Sequence, residues 1–204
     1  PRAPASDAPW PAGDGDAALP DPPGLDRLAI DAAVAAAFAE PDPESLRRTR
    51  AVVVVHGGRI VAERYADGLD RNTRHLGWSM TKSVTGALVG LLVARGALAR
   101  EQAVAVPAWQ GDGRRGITID HLLHMSSGLQ TAGANAFSVY FDGGTVYDLL
   151  RQAQLEVEPG SRWHYANRDT LALMRAARHV IGDDQQYLTF PRRALLNKIG
   201  MRHT

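Results

Sequence analysis

Residues 77–94 carry the most informative pattern of the chain, Gly77-Trp-Ser-Met-Thr-Lys-Ser-Val-Thr-Gly-Ala-Leu-Val-Gly-Leu-Leu-Val-Ala94. The segment contains no proline, and Gly96 follows it as a helix stop signal. Apolar side chains recur in it at helical spacing, namely Met80, Val84, Ala87, Leu88, Leu91 and Leu92. The pattern predicts an α-helix from Ser79 to Ala94.

Ser79 and Lys82 lie one turn apart on this predicted helix, about 4.5 Å along its axis, so their side chains share a face. A serine hydroxyl is a poor nucleophile until a neighbouring group accepts its proton. Lysine can accept it when burial lowers its pKa, whereas arginine stays protonated. Of the 23 Lys and Arg residues, only Lys82 and Lys198 are lysines, which favours a role that arginine cannot fill. The alternative is a chance motif with Lys82 on a solvated surface.

A second candidate motif is Tyr165-Ala166-Asn167, which follows Pro159-Gly160 and Trp163. A nearby lysine cation lowers the pKa of a phenol, so Tyr165 could exchange protons with a serine and with a leaving group. The amide of Asn167 could donate a hydrogen bond to a substrate carbonyl. The alternative is a loop tyrosine with a packed ring and a solvated hydroxyl.

Composition limits the classes of partner. The 204 residues have a net charge of +1, so there is no bulk field to attract nucleic acid or an anionic membrane. No apolar run reaches the roughly 18 residues that cross a bilayer, and the absence of cysteine excludes disulfides and thiolate metal sites. The histidines are too scattered to predict a metal site. We therefore expect no nucleic-acid partner, no membrane span, no metal and no cofactor.

The chain divides into a short arm and a longer domain. Residues 1–24 hold seven of the twelve prolines and predict a disordered arm, which mildly favours export to the periplasm or the outside, with the cytoplasm still possible. Residues 25–204 are expected to form the domain. Residues 25–95 would supply a helix, a hairpin and the nucleophile helix, and 96–204 a mostly helical region.

Short patterns predict the remaining elements. The β-branched run Ala51–Val55 and the segment Ile60–Tyr65 flank Gly57-Gly58, which predicts a β-hairpin. The unbroken valine run predicts burial on both faces of a sheet. Ser126-Ser127-Gly128 is interpreted as a cap and turn. Further helices are expected over 25–40, 119–125, 146–153, 170–180 and 185–197, with Pro191 disturbing the last.

Together these motifs resemble the serine β-lactamase and penicillin-binding-protein superfamily. The most similar branch is the class C β-lactamase-like hydrolases, which include type VIII esterases and 6-aminohexanoate-dimer hydrolases. The resemblance covers roughly residues 25–204 and implies a β-lactamase-like α+β (or α/β) fold, an antiparallel sheet flanked by helices with a mostly helical region. The stretches that carry it, besides the two motifs, are His121-Leu-Leu-His-Met-Ser-Ser-Gly-Leu129, Pro159-Gly160 with Trp163, and Lys198-Ile-Gly-Met-Arg-His-Thr204.

The resemblance implies an acyl-transferring serine hydrolase that cleaves a small amide, ester or β-lactam. Ser79 would be the nucleophile that becomes acylated, and Lys82 and Tyr165 would act as a coupled pair that moves its proton. Asn167 would position the substrate, and the backbone N–H of Ser79 would stabilise the oxyanion. From their place in the sequence, Trp78 and Trp163, with Tyr140, are expected to line the substrate cleft.

One family feature is missing from the sequence. The family carries a Lys-Thr-Gly or His-Thr-Gly-like motif on a late strand, which also supplies a second oxyanion amide, and no such tripeptide follows Tyr165. The late strands that would pair with the valine run are also not found. We therefore expect the chain to be the front portion of a longer hydrolase. The alternative is a truncated or non-catalytic penicillin-binding-like protein with a binding or regulatory role.

Overall fold

The structure is a computed structural model, and it describes residues 7, 8, 10, 13, 15, 20–130, 139, 141, 143–201, 203 and 204. Most of the arm predicted over 1–24, and Tyr140, lie outside the described residues. The chain forms two compact units, Pro1–Leu76 with Leu196–Thr204, and Gly77–Leu195. Both sequence motifs fall in the second unit. Among the described residues, no helix is long and apolar enough to cross a membrane.

The first unit contains a helix and a hairpin. Helix α1 spans Arg27–Phe38 and begins at Asp26, whose carboxylate accepts a hydrogen bond from the Ala29 amide at 2.9 Å. Strand β1 (Ala51–His56) pairs antiparallel with β2 (Arg59–Tyr65), with a bulge between Val54 and Val55. The predicted hairpin is therefore confirmed, and its turn uses the positive φ angles of Gly57 and Gly58.

The valine run is not buried on both faces, so that prediction was wrong for the described residues. Val53 and Val55 are each 49% exposed. The physical reason is that the described sheet has only two strands, and helix α1 contacts β2. Within the described part of the first unit, α1 is the helix that packs against the hairpin, and it does so through β2.

The second unit is helical, as the sequence predicts. After a 3₁₀ turn at Trp78–Met80 come helices α2 (Thr81–Ala94), α3 (Ile119–Leu123), α4 (Val146–Gln152), α5 (Asn167–Ile181) and α6 (Asp184–Pro191). A π-helical turn at Arg192–Leu196 follows Pro191, where the sequence predicts the disturbance. Short 3₁₀ turns at Pro107–Trp109 and Gly113–Gly116 precede α3.

Helix α5 is the centre of this unit, because it contacts α2, α3, α4 and α6. Its buried residues include Ala172, Ala176 and Ala177, and these small side chains allow neighbouring helices to approach closely. The core around it includes Trp109, which is fully buried and donates its indole N–H to the Leu150 carbonyl at 2.9 Å. Because α5 packs against α2, the first residues of α5 lie next to α2.

Candidate active site

The 3₁₀ turn and helix α2 place Ser79 beside Lys82. The Met80 amide donates to the Gly77 carbonyl at 2.9 Å, which tightens the chain into the turn directly before α2. The Lys82 ammonium nitrogen Nζ donates to the Ser79 hydroxyl oxygen Oγ at 3.2 Å. Ser79 is exposed and Lys82 is half-buried. The one-turn spacing in the sequence is thus a direct contact in the structure.

Asn167 reaches the same lysine from helix α5. This helix begins at Asn167, three residues before the predicted start at Thr170, so the asparagine lies in its first turn. Lys82 Nζ donates to Asn167 Oδ1 at 2.7 Å. One ammonium group therefore binds the serine of the 3₁₀ turn before α2 and the asparagine of α5, and the packing of α5 on α2 fixes their separation.

Tyr165 lies next to this pair. Lys82 Nζ is 4.9 Å from the centre of the Tyr165 ring, and the tyrosine is 48% exposed. Hydrogen bonding with the Ser79 hydroxyl is the largest influence on the pKa of Tyr165 and lowers it from 10.0, with a further lowering by the charge and hydrogen bonding of Lys82. Partial desolvation opposes the shift. The phenol therefore ionises more readily than a free tyrosine.

A serine within hydrogen-bond reach of a basic group, which is itself oriented by a third side chain, is the geometric signature of an activated nucleophile. Ser79, Lys82 and Asn167 have the residue types and the contacts of such an arrangement. With Tyr165, the structure brings together four of the six candidate site residues, namely Ser79, Lys82, Tyr165 and Asn167.

Trp78 and Trp163, the two tryptophans predicted to line a substrate cleft, are 68% and 67% exposed. Their role in binding stays a prediction. The backbone of Trp78 is also strained. Its φ angle is +41°, in the left-handed region that bulky L-residues avoid. This strained residue immediately precedes Ser79, at the start of the turn that carries the nucleophile.

We expect Trp78→Gly and Trp78→Ala to separate strain from side-chain loss, because both remove the indole but only glycine accepts the positive φ without cost. The glycine variant should have a free energy of unfolding about 1 kcal/mol above that of the alanine variant. Any ester turnover that depends on Ser79 should nevertheless be slower in the glycine variant, since the Ser79 turn is then free to relax. Urea unfolding and ester turnover measure the two quantities. Equal stability of the two variants would show that the backbone at Trp78 stores no strain.

The sequence analysis missed a buried acid behind the site. Asp169, in the first turn of α5, is 1% exposed, and its Oδ1 accepts a hydrogen bond from Ser127 Oγ at 2.8 Å. Its Oδ2 has no hydrogen-bond partner among the described residues. Ser127 does occupy the predicted turn, but it is buried and connects that turn to α5. The only available signal was a polar residue at a core-facing position of the helix.

Burial is the largest influence on the pKa of Asp169 and raises it from 3.8 to about 6, against the opposing effect of Ser127. Folding then favours proton binding, so the free energy of unfolding should decrease as the pH rises from about 4 to about 6, in total by about 3 kcal/mol. Asp169→Asn should remove this decrease. Urea unfolding at a series of pH values measures it, and an unchanged pH slope in the variant would assign the effect to another group.

Two of the scattered histidines, His121 and His124, contact residues of the α3 segment. Thr118 Oγ1 accepts from the His121 amide and His121 Nδ1 accepts from the Thr118 amide, both at 3.2 Å, which forms a capping box at the start of α3. His124 lies 3.2 Å from an Asp120 carboxylate oxygen. In the described part of the chain, no three His, Asp or Glu side chains are grouped to hold a metal ion.

Comparison with known proteins identifies the family and the fold. The family profile called Beta-lactamase matches residues 34–204. One similar solved structure is the "Putative 6-aminohexanoate-dimer hydrolase from Bacillus anthracis", with a TM-score of 0.58 and 22% identity over 74% of this chain and 43% of that one. Another is a "putative beta-lactamase from Bacteroides dorei DSM 17855", with a TM-score of 0.70 and 21% identity over 86% of this chain and 52% of that one. No curated protein sequence matches.

The chain belongs to the Beta-lactamase family, which confirms the resemblance found in the sequence. The two solved structures confirm the predicted fold, of which the described residues form an α+β part. The chain spans about half of the length of these two proteins, 43% and 52%.

Proposed function

We propose that the protein is a serine hydrolase that cleaves an amide or ester bond through an acyl-Ser79 intermediate. The observation that carries the proposal is the position of Lys82 Nζ, which donates to Ser79 Oγ at 3.2 Å and to Asn167 Oδ1 at 2.7 Å. The phenol of Tyr165 lies beside the same ammonium group. These contacts support the proposal, because the proposed nucleophile, its proton-accepting partners and the orienting amide would have to lie within reach of one another.

The proposed reaction has two halves. In the first, Ser79 Oγ attacks the substrate carbonyl carbon while its proton passes to the Lys82–Tyr165 pair, and the same pair protonates the leaving group as the bond to it breaks. In the second, water attacks the acyl carbon and gives its proton to the pair, and Ser79 is released protonated. The lowered pKa of Tyr165 supports its part in this relay, because its phenol gives up a proton more readily than that of a free tyrosine.

The oxyanion of the proposed intermediate needs hydrogen-bond donors. The Ser79 amide lies in the turn that leads into α2, where the first backbone N–H groups have no helical partner. In the described part of the chain, no carbonyl accepts a hydrogen bond from it. This amide is therefore proposed as one donor, and a donor of this kind is worth about 10²–10³ in rate.

The proposed substrates are small β-lactams, short esters or linear amides. Attack by the exposed Ser79 requires only an accessible carbonyl group. Exposed apolar surface is offered by Trp78, which is next to Ser79 in the sequence, and by Trp163, which is two residues before Tyr165. The names of the two solved structures, a 6-aminohexanoate-dimer hydrolase and a beta-lactamase, fall in the same range of bonds.

Covalent labelling tests the proposal directly. The protein would be incubated with a fluorophosphonate and, separately, with a fluorescent penicillin, and digested for mass spectrometry. We expect one adduct, on the peptide that contains Ser79. Ser83→Ala, four residues along the same helix, is the matched control and should label normally. Failure of both probes to label would reject the hydrolase in favour of a non-catalytic binding protein. An adduct on a different serine would reject Ser79 as the nucleophile.

A further inference from the structure

The two backbone amides that flank Tyr165 both bind one residue, Met125. The His164 amide donates to the Met125 carbonyl at 2.9 Å. The Ala166 amide donates to the Met125 sulfur Sδ at 3.2 Å. A thioether is a weak acceptor, so a backbone N–H directed at one is an unusual arrangement. Met125 therefore binds the backbone on both sides of Tyr165, through its carbonyl on one side and its side-chain sulfur on the other.

The backbone of Met125 is shaped for this double contact. Its φ angle is +53°, a conformation that costs an ordinary L-residue free energy. It follows α3 and is half-buried. The strain is therefore maintained by the surrounding structure, as expected where a residue fixes the position of another group.

Neighbouring contacts hold the same two segments together. The Ser126 carbonyl accepts from the Gly160 amide at 2.7 Å, and the Gly128 carbonyl accepts from the Glu156 amide at 2.9 Å. A Cβ added to Gly128 would lie 2.3 Å from the Val157 carbonyl oxygen, so the two backbones are in close contact. Met125 is the member of this set that binds the residues directly before and after the tyrosine.

Tyr165 cannot hold itself in place by packing, because it is 48% exposed. We propose that Met125 is a positioning residue, which fixes the Tyr165 phenol beside Lys82 and Ser79 by binding the amides before and after it. This inference rests on the proposed function for its effect on rate, although the geometry it concerns can be measured without catalysis.

Met125→Leu tests the proposal, because leucine retains an apolar side chain of similar size but has no acceptor for the Ala166 amide. We expect kcat for a p-nitrophenyl ester to fall about 10–100-fold with KM within about twofold, since a misplaced group acts on the chemical step. Met125→Gln, which restores an acceptor on a chain of similar length, should recover most of the loss. Met174→Leu, the same change in helix α5, is the matched control and should keep normal turnover.

Titration of the phenol supplies a readout that does not need turnover. The ultraviolet absorbance of the Tyr165 phenolate is obtained by difference from the Tyr165→Phe protein. In Met125→Leu the pKa of Tyr165 should rise back toward 10.0, whereas Met125→Gln and Met174→Leu should leave it lowered. If Met125→Leu does not fold, Met125→Asn replaces it, because asparagine tolerates a positive φ and its short side chain withdraws from the Ala166 amide.

An unchanged titration and unchanged kcat in Met125→Leu overturn the inference. So does a loss of kcat that glutamine fails to recover, because that would indicate a packing role. If the wild-type protein labels with neither probe but the phenol titration still moves in Met125→Leu alone, the proposed hydrolase fails while the positioning of Tyr165 by Met125 holds.

Discussion

Ser79→Ala should lower kcat for a short ester by a factor on the order of 10⁶, because it removes the atom that forms the covalent bond to the substrate. The other groups of the site cannot replace it, since in the proposed reaction Lys82 and Tyr165 act only on its proton. Binding of the ester should change little. Stopped-flow hydrolysis of a p-nitrophenyl ester measures kcat, and equilibrium dialysis with a slowly reacting amide measures binding.

The matched control is Ser83→Ala, which changes an exposed serine on the same helix. A Ser79→Ala protein that retained more than about a hundredth of the wild-type kcat would show that the ester is attacked by a group other than this serine. Background hydrolysis by a contaminating esterase is excluded by measuring both variants from parallel preparations.

Lys82→Arg should give the second largest effect, a loss of about 10²–10⁴ in the rate of acylation. Arginine retains the positive charge and can still donate to Asn167, but its guanidinium group does not release a proton at neutral pH. The variant therefore separates electrostatic stabilisation from proton transfer. The rate is measured as the appearance of the penicillin adduct on Ser79 over time.

Lys198→Arg controls for the chemical change, because Lys198 is the other lysine of the chain and is exposed. Acylation of Lys82→Arg at more than a tenth of the normal rate would mean that the lysine contributes only charge. The proton would then pass to Tyr165 alone, and Tyr165→Phe would be the slower variant.

The sequence predicted the parts of the site that depend on local spacing. Ser79 and Lys82 are three residues apart, so a helix alone brings their side chains together. Tyr165 and Asn167 were placed with them by the resemblance to a family, since no periodicity connects residues 85 positions apart. Secondary structure was predicted where hydrophobic periodicity was strong, as in α2 and the hairpin.

Features that depend on tertiary contacts were not predicted. The Met125 sulfur and the Ala166 amide are 41 residues apart, and Ser127 and Asp169 are 42 apart. Neither pair has a pattern that sequence spacing could reveal. The prediction that the valine run is buried on both faces was wrong for the same reason. Whether a β-branched run is buried depends on which layers pack against it and not on the run itself.

The contacts of Lys82 also link the expected labelling of Ser79 to the local stability of helix α5. Its ammonium group joins α2 to the first turn of α5, 85 residues further along the chain. Fraying of that first turn would withdraw Asn167 from the amine, and so remove a contact that positions Lys82 beside Ser79, before the core around Trp109 opened. Loss of covalent labelling would then precede the loss of tryptophan burial during gradual denaturation.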